Sequence, residues 1–127
     1  YSAEPDLNGR LSAGGLEAGT IRGRIAPTAS VTENGEKIGL IGLTTPEIIT
    51  ISSPGPHLLV TPASGQYDFA ALAGVVNNSV DALRSQHPDL DKIILLSHLQ
   101  QFQNEVTLAP LLRGVDGGRP LAVGVTA

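Results

Sequence analysis

The sequence predicts an α/β fold in which helices cover a layered, largely parallel sheet. Residues 38–43 and 93–96 are apolar on both faces, which is typical of strands buried between layers. Residues 69–83, between them, carry one apolar stripe at helical spacing. A helix followed by a buried strand is half of a βαβ unit, so we expect parallel strands. The length of 127 residues fits one domain or part of one.

The first half of the chain predicts a hairpin and a buried strand. Residues 1–28 are rich in Gly, Ala and Ser and are expected to form loop or short edge strands. Asn34-Gly35 lies between two β-prone runs, and both residues tolerate the positive φ of a type I′ turn. The following strand should end before Pro46, which has no N–H for the ladder. Residues 52–66 contain several prolines and are expected to form a loop.

The second half predicts two helices around the second buried strand. Asp68 is a suitable N-cap for the first helix. This helix should end near His87, because Pro88 disfavours helical geometry in the residue before it. Another helix is expected from about residue 101 to residue 112, kinked or shortened by Pro110. Residues 116–118 resemble a turn.

The composition excludes several classes of protein. Hydrophobic residues make up 41% and charged residues 16%, which is typical of a globular chain. The net charge is −4 and the basic residues are scattered, so we predict no nucleic-acid polymer as a partner. No apolar stretch reaches the roughly 18 residues of a membrane span. The chain has no cysteine and no initiator methionine at Tyr1, and we interpret it as a mature or excised piece.

His98 is the candidate functional residue that the pattern itself indicates. It follows the second buried strand directly, and ligand sites in open α/β sheets form at the carboxyl ends of strands. A neutral imidazole there can bind a metal or act as an acid or base. It can equally cap the strand end and hydrogen-bond the nearby backbone. The sequence pattern alone leaves both interpretations open.

Other polar residues are expected to have structural roles. Thr44 and Thr45 end the first buried strand, where their hydroxyl groups could line a pocket. Threonine is also simply favoured in strands, and this structural role is the one expected. His57 lies among prolines and is expected to be exposed. His87 is at a helix C-terminus, where a partly protonated imidazole favours the dipole.

Asn104 and Glu105 follow His98 by six and seven residues at the start of a predicted helix. From there they could reach the same site as His98. A charged residue on a helix is more often on a solvated face, and that position is the one expected. The sequence contains no P-loop, no G-x-S-x-G elbow and no H-E-x-x-H motif.

Two segments in the correct order resemble the calcineurin-like metallophosphoesterases of the 5'-nucleotidase type. These are NGEKIGLIGLTTP at residues 34–46 and DKIILLSHL at residues 91–99. The helix between them contains a similar VDAL segment, and LLRGVD at residues 111–116 resembles the segment before the family's next strand. The resemblance spans residues 1–116. It implies that residues 1–127 are part of a single catalytic domain with a metallophosphoesterase-like layered sheet.

The resemblance also implies a chemistry. In that family two divalent metal ions, of which Zn, Mn, Fe and Ca are candidates here, are held by Asp, His and Asn side chains at strand ends. They orient a phosphate ester and activate a water for in-line attack. His98 matches a metal-ligating histidine. The implied activity is a phosphoric monoester hydrolase acting on a phosphate ester or nucleotide, in the periplasm or outside the cell.

Departures from the family pattern limit this expectation. The family's early Asp-x-His and Asn-His-Glu motifs lie before the region that resembles Tyr1. After Asp116 the family continues with an apolar strand and a ligand loop, whereas residues 117–127 read GGRPLAVGVTA. That strand and loop are therefore expected to be deleted, excised or unrecorded. We therefore assign no catalytic residue and expect His98 alone not to hold both metals. The alternative is a non-catalytic binding module, and unpaired strands are expected to favour self-association.

Overall fold

The computed structural model describes residues 5–61, 67–113 and 121–125, the last range by its backbone alone. These residues form one sheet of five strands, in the order β1-β2-β3-β4-β5. The strands are β1 Leu16–Glu17, β2 Thr28–Glu33, β3 Glu36–Thr44, β4 Lys92–His98 and β5 Leu121–Val125. The α-helices are α1 Pro5–Asn8, α2 Ile48–Ile51, α3 Phe69–Gln86 and α4 Phe102–Leu108, and short 3-10 turns cover Ala18–Thr20 and Ala109–Leu111. The predicted α/β class is confirmed.

The predicted hairpin joins β2 and β3, which pair in antiparallel fashion. Asn34 and Gly35 form its turn with φ values of 52° and 80°. Both values lie in the left-handed region that a type I′ turn requires. β3, β4 and β5 run parallel to one another, and β1 pairs in parallel with β2.

α3 packs against one face of this sheet and builds the core. The Asp68 carboxylate accepts a hydrogen bond from the Ala71 N–H at 2.9 Å, which confirms the predicted N-cap. The C-cap is His87, where the helix was expected to end. The apolar stripe of α3 is buried and consists of Leu72, Ala73, Val76, Val80 and Leu83. Gly39 of β3 permits this close approach, since a Cβ there would meet Leu83 of α3 at 3.2 Å.

The other face of the sheet is more exposed than the sequence suggested. In β4, Ile93, Leu95 and Ser97 point toward α3 and are buried. Their neighbours point to the opposite face, because side chains alternate along a strand. Leu96 on that face is 43% exposed. The expectation that β4 is buried on both faces is therefore wrong for the described residues. Self-association through unpaired strands stays a prediction.

The structure has a strand after Asp116, where the family's strand was expected to be missing. The expected loss of the ligand loop stays a prediction. β5 pairs in parallel with β4, in a register that places Leu121 beside Ile93 and Val125 beside Ser97. Its apolar run adds to the open edge of β4, and the glycines and Pro120 before it obscured that run in the sequence. The short helices α1 and α2 were not predicted. α4 is shortened at Pro110 as expected, and the predicted turn at 116–118 lies outside the described residues.

Candidate functional site

His98 is the last residue of β4 and lies opposite Thr44, the last residue of β3. Because these strands are parallel, both residues lie at the carboxyl edge of the sheet, where the sequence placed the site. Both are exposed, on the face that α3 leaves uncovered. The structure thus presents the His98 imidazole to solvent at a strand end.

The backbone turns sharply directly after His98. Leu99 is fully buried, and Gln100 adopts a positive φ of 68°. The Leu99 carbonyl accepts three hydrogen bonds, from the Tyr67 hydroxyl at 2.6 Å, from Asn104 Nδ2 at 2.7 Å and from the Gln101 N–H at 2.8 Å. This turn is therefore held by groups from two different parts of the chain.

Glu105 accepts hydrogen bonds from the residues on either side of His98 in the sequence. Its Oε1 accepts hydrogen bonds from the Leu99 N–H at 2.8 Å and from the Ser97 hydroxyl at 3.2 Å. The residue is only 4% exposed, and its Oε2 has no hydrogen-bond partner among the described residues.

The expectation that Asn104 and Glu105 lie on a solvated face is wrong. The first turn of α4 packs beneath the end of β4, where the backbone groups beyond the ladder need partners. The spacing contained a signal for this burial. Glu105 precedes the buried Leu108 by three residues, so the two share one face of α4.

A polarised chain of hydrogen bonds links the ends of β3 and β4. The Leu99 carbonyl can only accept, so the Tyr67 hydroxyl donates to it. Thr45 Oγ1 lies 2.9 Å from the Tyr67 hydroxyl oxygen and must therefore donate to it, while accepting from the Glu47 N–H. Burial raises the pKa of Tyr67, against the opposing effect of the Thr45 hydrogen bond. The phenol thus stays protonated at neutral pH.

The structural role predicted for Thr45 is confirmed, since it is 2% exposed and fully used in this chain. Thr44 and Thr45 also line a groove of about 210 Å³ beside the end of β3. Most of the other lining residues are apolar, among them Ile48 and Leu59. Both residues therefore line a pocket.

His57 is exposed, as predicted. His87 is bonded through both ring nitrogens, with Nε2 at 2.7 Å from the Gly15 carbonyl oxygen and Nδ1 at 3.4 Å from Lys37 Nζ. An ammonium group can only donate, so Nδ1 accepts and Nε2–H donates to Gly15. His87 therefore joins the helix end to β3 and to the N-terminal segment, a structural role as predicted.

The described ranges contain no group of three or more His, Cys, Asp or Glu side chains that could hold a metal ion. An exposed imidazole at a strand end fits one position in the coordination sphere of a divalent metal. His98 therefore fits a metal site as a single ligand. Within the same ranges, no helix is long and apolar enough to span a bilayer.

The fold and the polar strand ends define an α/β protein with a candidate site around His98. This chain is homologous to a segment of 5'-nucleotidases. It is 38% identical to the 5'-nucleotidase of Diplobatis ommata over 112 residues, which is 88% of this chain. Over the same length it is 30% identical to the snake venom 5'-nucleotidase of Naja atra and to the 5'-nucleotidase of Mus musculus.

The chain spans only 17% to 19% of the length of these relatives. No protein-family profile matches the sequence.

Proposed function

We propose that this chain is part of a metal-dependent phosphoric monoester hydrolase of the metallophosphoesterase type that acts on nucleotides. The observation that carries the proposal is the similarity to proteins named 5'-nucleotidase across 88% of the chain. In the reaction, a water oxygen bonds to phosphorus and the ester P–O bond breaks. The nucleoside leaves as an alcohol after gaining a proton, and the phosphate is released.

His98 is proposed as a ligand of one of two divalent metal ions, which would be Zn, Mn, Fe or Ca. Two such ions, when bound, supply Lewis acidity and an activated water to phosphate-ester hydrolysis. The position of His98 at the carboxyl edge of the sheet supports this role, since side chains at that edge converge on a ligand. The remaining ligands come from residues beyond those that the structure describes.

The substrate and the location of the protein are also proposals. A nucleotide substrate is supported by the names of the relatives, and the venom origin of some supports an extracellular or periplasmic location. The groove beside Thr44 is too apolar to bind a phosphate group by itself. The binding of the phosphate is therefore assigned to the metal ions and not to this groove.

A chimera tests the activity. The matched segment of the Diplobatis ommata 5'-nucleotidase is replaced by this chain, and phosphate release from adenosine monophosphate is measured. We expect hydrolysis that His98→Ala lowers by about 100-fold or more. Loss of a residue that only hydrogen-bonds a metal ligand already lowers metal affinity or activity by about 10- to 100-fold. The exposed His57 is the matched control, and His57→Ala should leave the activity unchanged.

Equal activity of the His98→Ala and His57→Ala chimeras would contradict the proposed role of His98. A folded chimera that binds the nucleotide without hydrolysing it would favour the alternative, a non-catalytic binding module.

A further inference from the structure

We propose that Glu105 is the positioning residue of His98: it bonds the Ser97 side chain before the histidine and the Leu99 backbone after it, and thereby sets the direction in which the imidazole leaves the sheet. The inference builds on the proposed role of His98 as a metal ligand. Nothing in the similarity to 5'-nucleotidases assigns a role to Glu105.

The first step is the geometry around β4. Ser97 is fully buried and points toward the core, so His98, its neighbour in the strand, points to the opposite face. The Glu105 Oε1 accepts from the Ser97 hydroxyl at 3.2 Å and from the Leu99 N–H at 2.8 Å. One carboxylate oxygen therefore holds the residue before His98 and the residue after it.

The second step concerns redundancy. The Leu99 carbonyl has three donors, so the loss of any one leaves it bonded. The Leu99 N–H lies just beyond the ladder with β3, whose register ends at Thr44 and His98. Among the described residues, Glu105 is the hydrogen-bond acceptor for this N–H. The direction of the chain as it leaves His98 thus depends on this carboxylate.

The third step is the energetic cost of Glu105. A carboxylate that is 4% exposed loses its hydration, and its Oε2 gains no hydrogen bond within the described residues. Burial of a polar group without a partner is destabilising, and an apolar side chain would avoid this cost. Local choices that oppose stability are expected where a site must be held in place.

The test begins with the metal-free 127-residue chain. Three variants are compared: Glu105→Ala, Glu105→Gln, and the control Gln103→Ala on the exposed side of the same helix. The three-bond couplings that report the His98 χ1 angle are measured by NMR, together with hydrogen exchange of the Leu99 amide. In Glu105→Ala we expect averaged couplings and exchange faster by about tenfold. Glu105→Gln keeps an acceptor oxygen and should resemble the wild type, as should Gln103→Ala.

The second measurement is the broadening of the His98 ring signals by Mn²⁺ alone. In Glu105→Ala the Mn²⁺ concentration that halves these signals should rise by about 10- to 100-fold. In Glu105→Gln and Gln103→Ala it should stay within about twofold. If Glu105→Ala leaves both the couplings and the Mn²⁺ response as they are in Gln103→Ala, the inference is overturned.

The two proposals fail in different ways. In the wild type, Mn²⁺ should broaden the His98 ring signals at a lower concentration than those of the exposed His57. If it does not, the metal role of His98 is wrong. The χ1 couplings alone then decide whether Glu105 positions His98. If Glu105→Ala does not fold, Glu105→Asp replaces it, because it keeps the charge but withdraws the carboxylate by one methylene. Averaged His98 χ1 couplings in that variant, with unchanged hydrogen exchange of the Leu95 amide, support the inference. Unchanged His98 couplings overturn it.

Discussion

The two ends of α3 are associated with histidines that are held in different ways. At the C-terminal end, His87 is bonded through its ring, to the Gly15 carbonyl and to Lys37. Beyond the N-terminal end, Tyr67 and Glu105 bond instead to the backbone next to His98.

The described hydrogen bonds at the two positions act on different groups. Both ring nitrogens of His87 are used to join the helix end, β3 and the N-terminal segment. At His98 the surrounding hydrogen bonds set the path of the chain, and the exposed ring stands at the sheet edge. Backbone support of this kind fixes the point at which the side chain leaves the strand, and the ring bonds of His87 connect elements of the fold.

The largest expected effect concerns activity. The 127-residue chain alone should release no phosphate from p-nitrophenyl phosphate with Mn²⁺ or Zn²⁺, because one imidazole cannot hold two metal ions that each take about three protein ligands. Phosphate release that disappears in His98→Ala would refute this expectation and would show that neighbouring residues complete the site.

His87→Ala tests the structural end of the comparison. It removes the donor to the Gly15 carbonyl and the acceptor for Lys37, so we expect the free energy of unfolding to fall by about 2 kcal/mol. His57→Ala should change it by less than about 0.5 kcal/mol. Urea unfolding measures both. A stability loss in His57→Ala as large as that in His87→Ala would contradict a special role for the His87 ring.

Tyr67→Phe tests the hydrogen-bond chain at the other end. It removes one of three donors to the Leu99 carbonyl and the acceptor for Thr45, at a cost of about 1 kcal/mol. Thr45→Val should cost a similar amount.

The same variant also predicts a pH dependence. Burial raises the pKa of Tyr67 above its usual value of 10.0, so folding favours the protonated phenol. This contribution is fully present below pH 10 and is lost as the pH rises through the raised pKa. Unfolding measured in alkaline buffers should show this loss in the wild type and less of it in Tyr67→Phe. Identical alkaline curves would contradict the burial of the phenol.

The smallest expected effect is a gain in stability. Gln100 has a φ of 68°, a conformation that costs a non-glycine residue more than it costs glycine. Gln100→Gly should raise the free energy of unfolding by about 0.5 kcal/mol, after the entropy gained by the unfolded chain is subtracted. Asn34→Gly in the hairpin is the control, with a smaller gain because asparagine tolerates this region. A net loss in Gln100→Gly would indicate that the glutamine side chain contributes contacts of its own.

Short-range chemistry made much of the fold predictable. Asn34-Gly35, Asp68 and Pro88 act on their immediate neighbours, and the hairpin and both ends of α3 follow from them. β5 was missed because it gains its place by pairing with β4, far away in the sequence.

The candidate site was predictable only in part. The strand-end position of His98 follows from local apolar runs. The Tyr67–Leu99 and Thr45–Tyr67 hydrogen bonds join residues distant in sequence, and no local pattern indicates them. The burial of Glu105 was not predicted, because a charged side chain usually lies on a solvated helix face. Its spacing from the buried Leu108 indicates the buried face.

The register between β3 and β4 has a consequence for the order of folding. The β2–β3 hairpin closes across two residues, whereas Thr44 meets His98 only after the loop and α3 between them are brought together. Closing the longer loop costs more chain entropy before its contacts form. The edge that carries His98 is therefore expected to assemble after the hairpin. Equal φ-values in β4 and the hairpin would contradict that sequence of events.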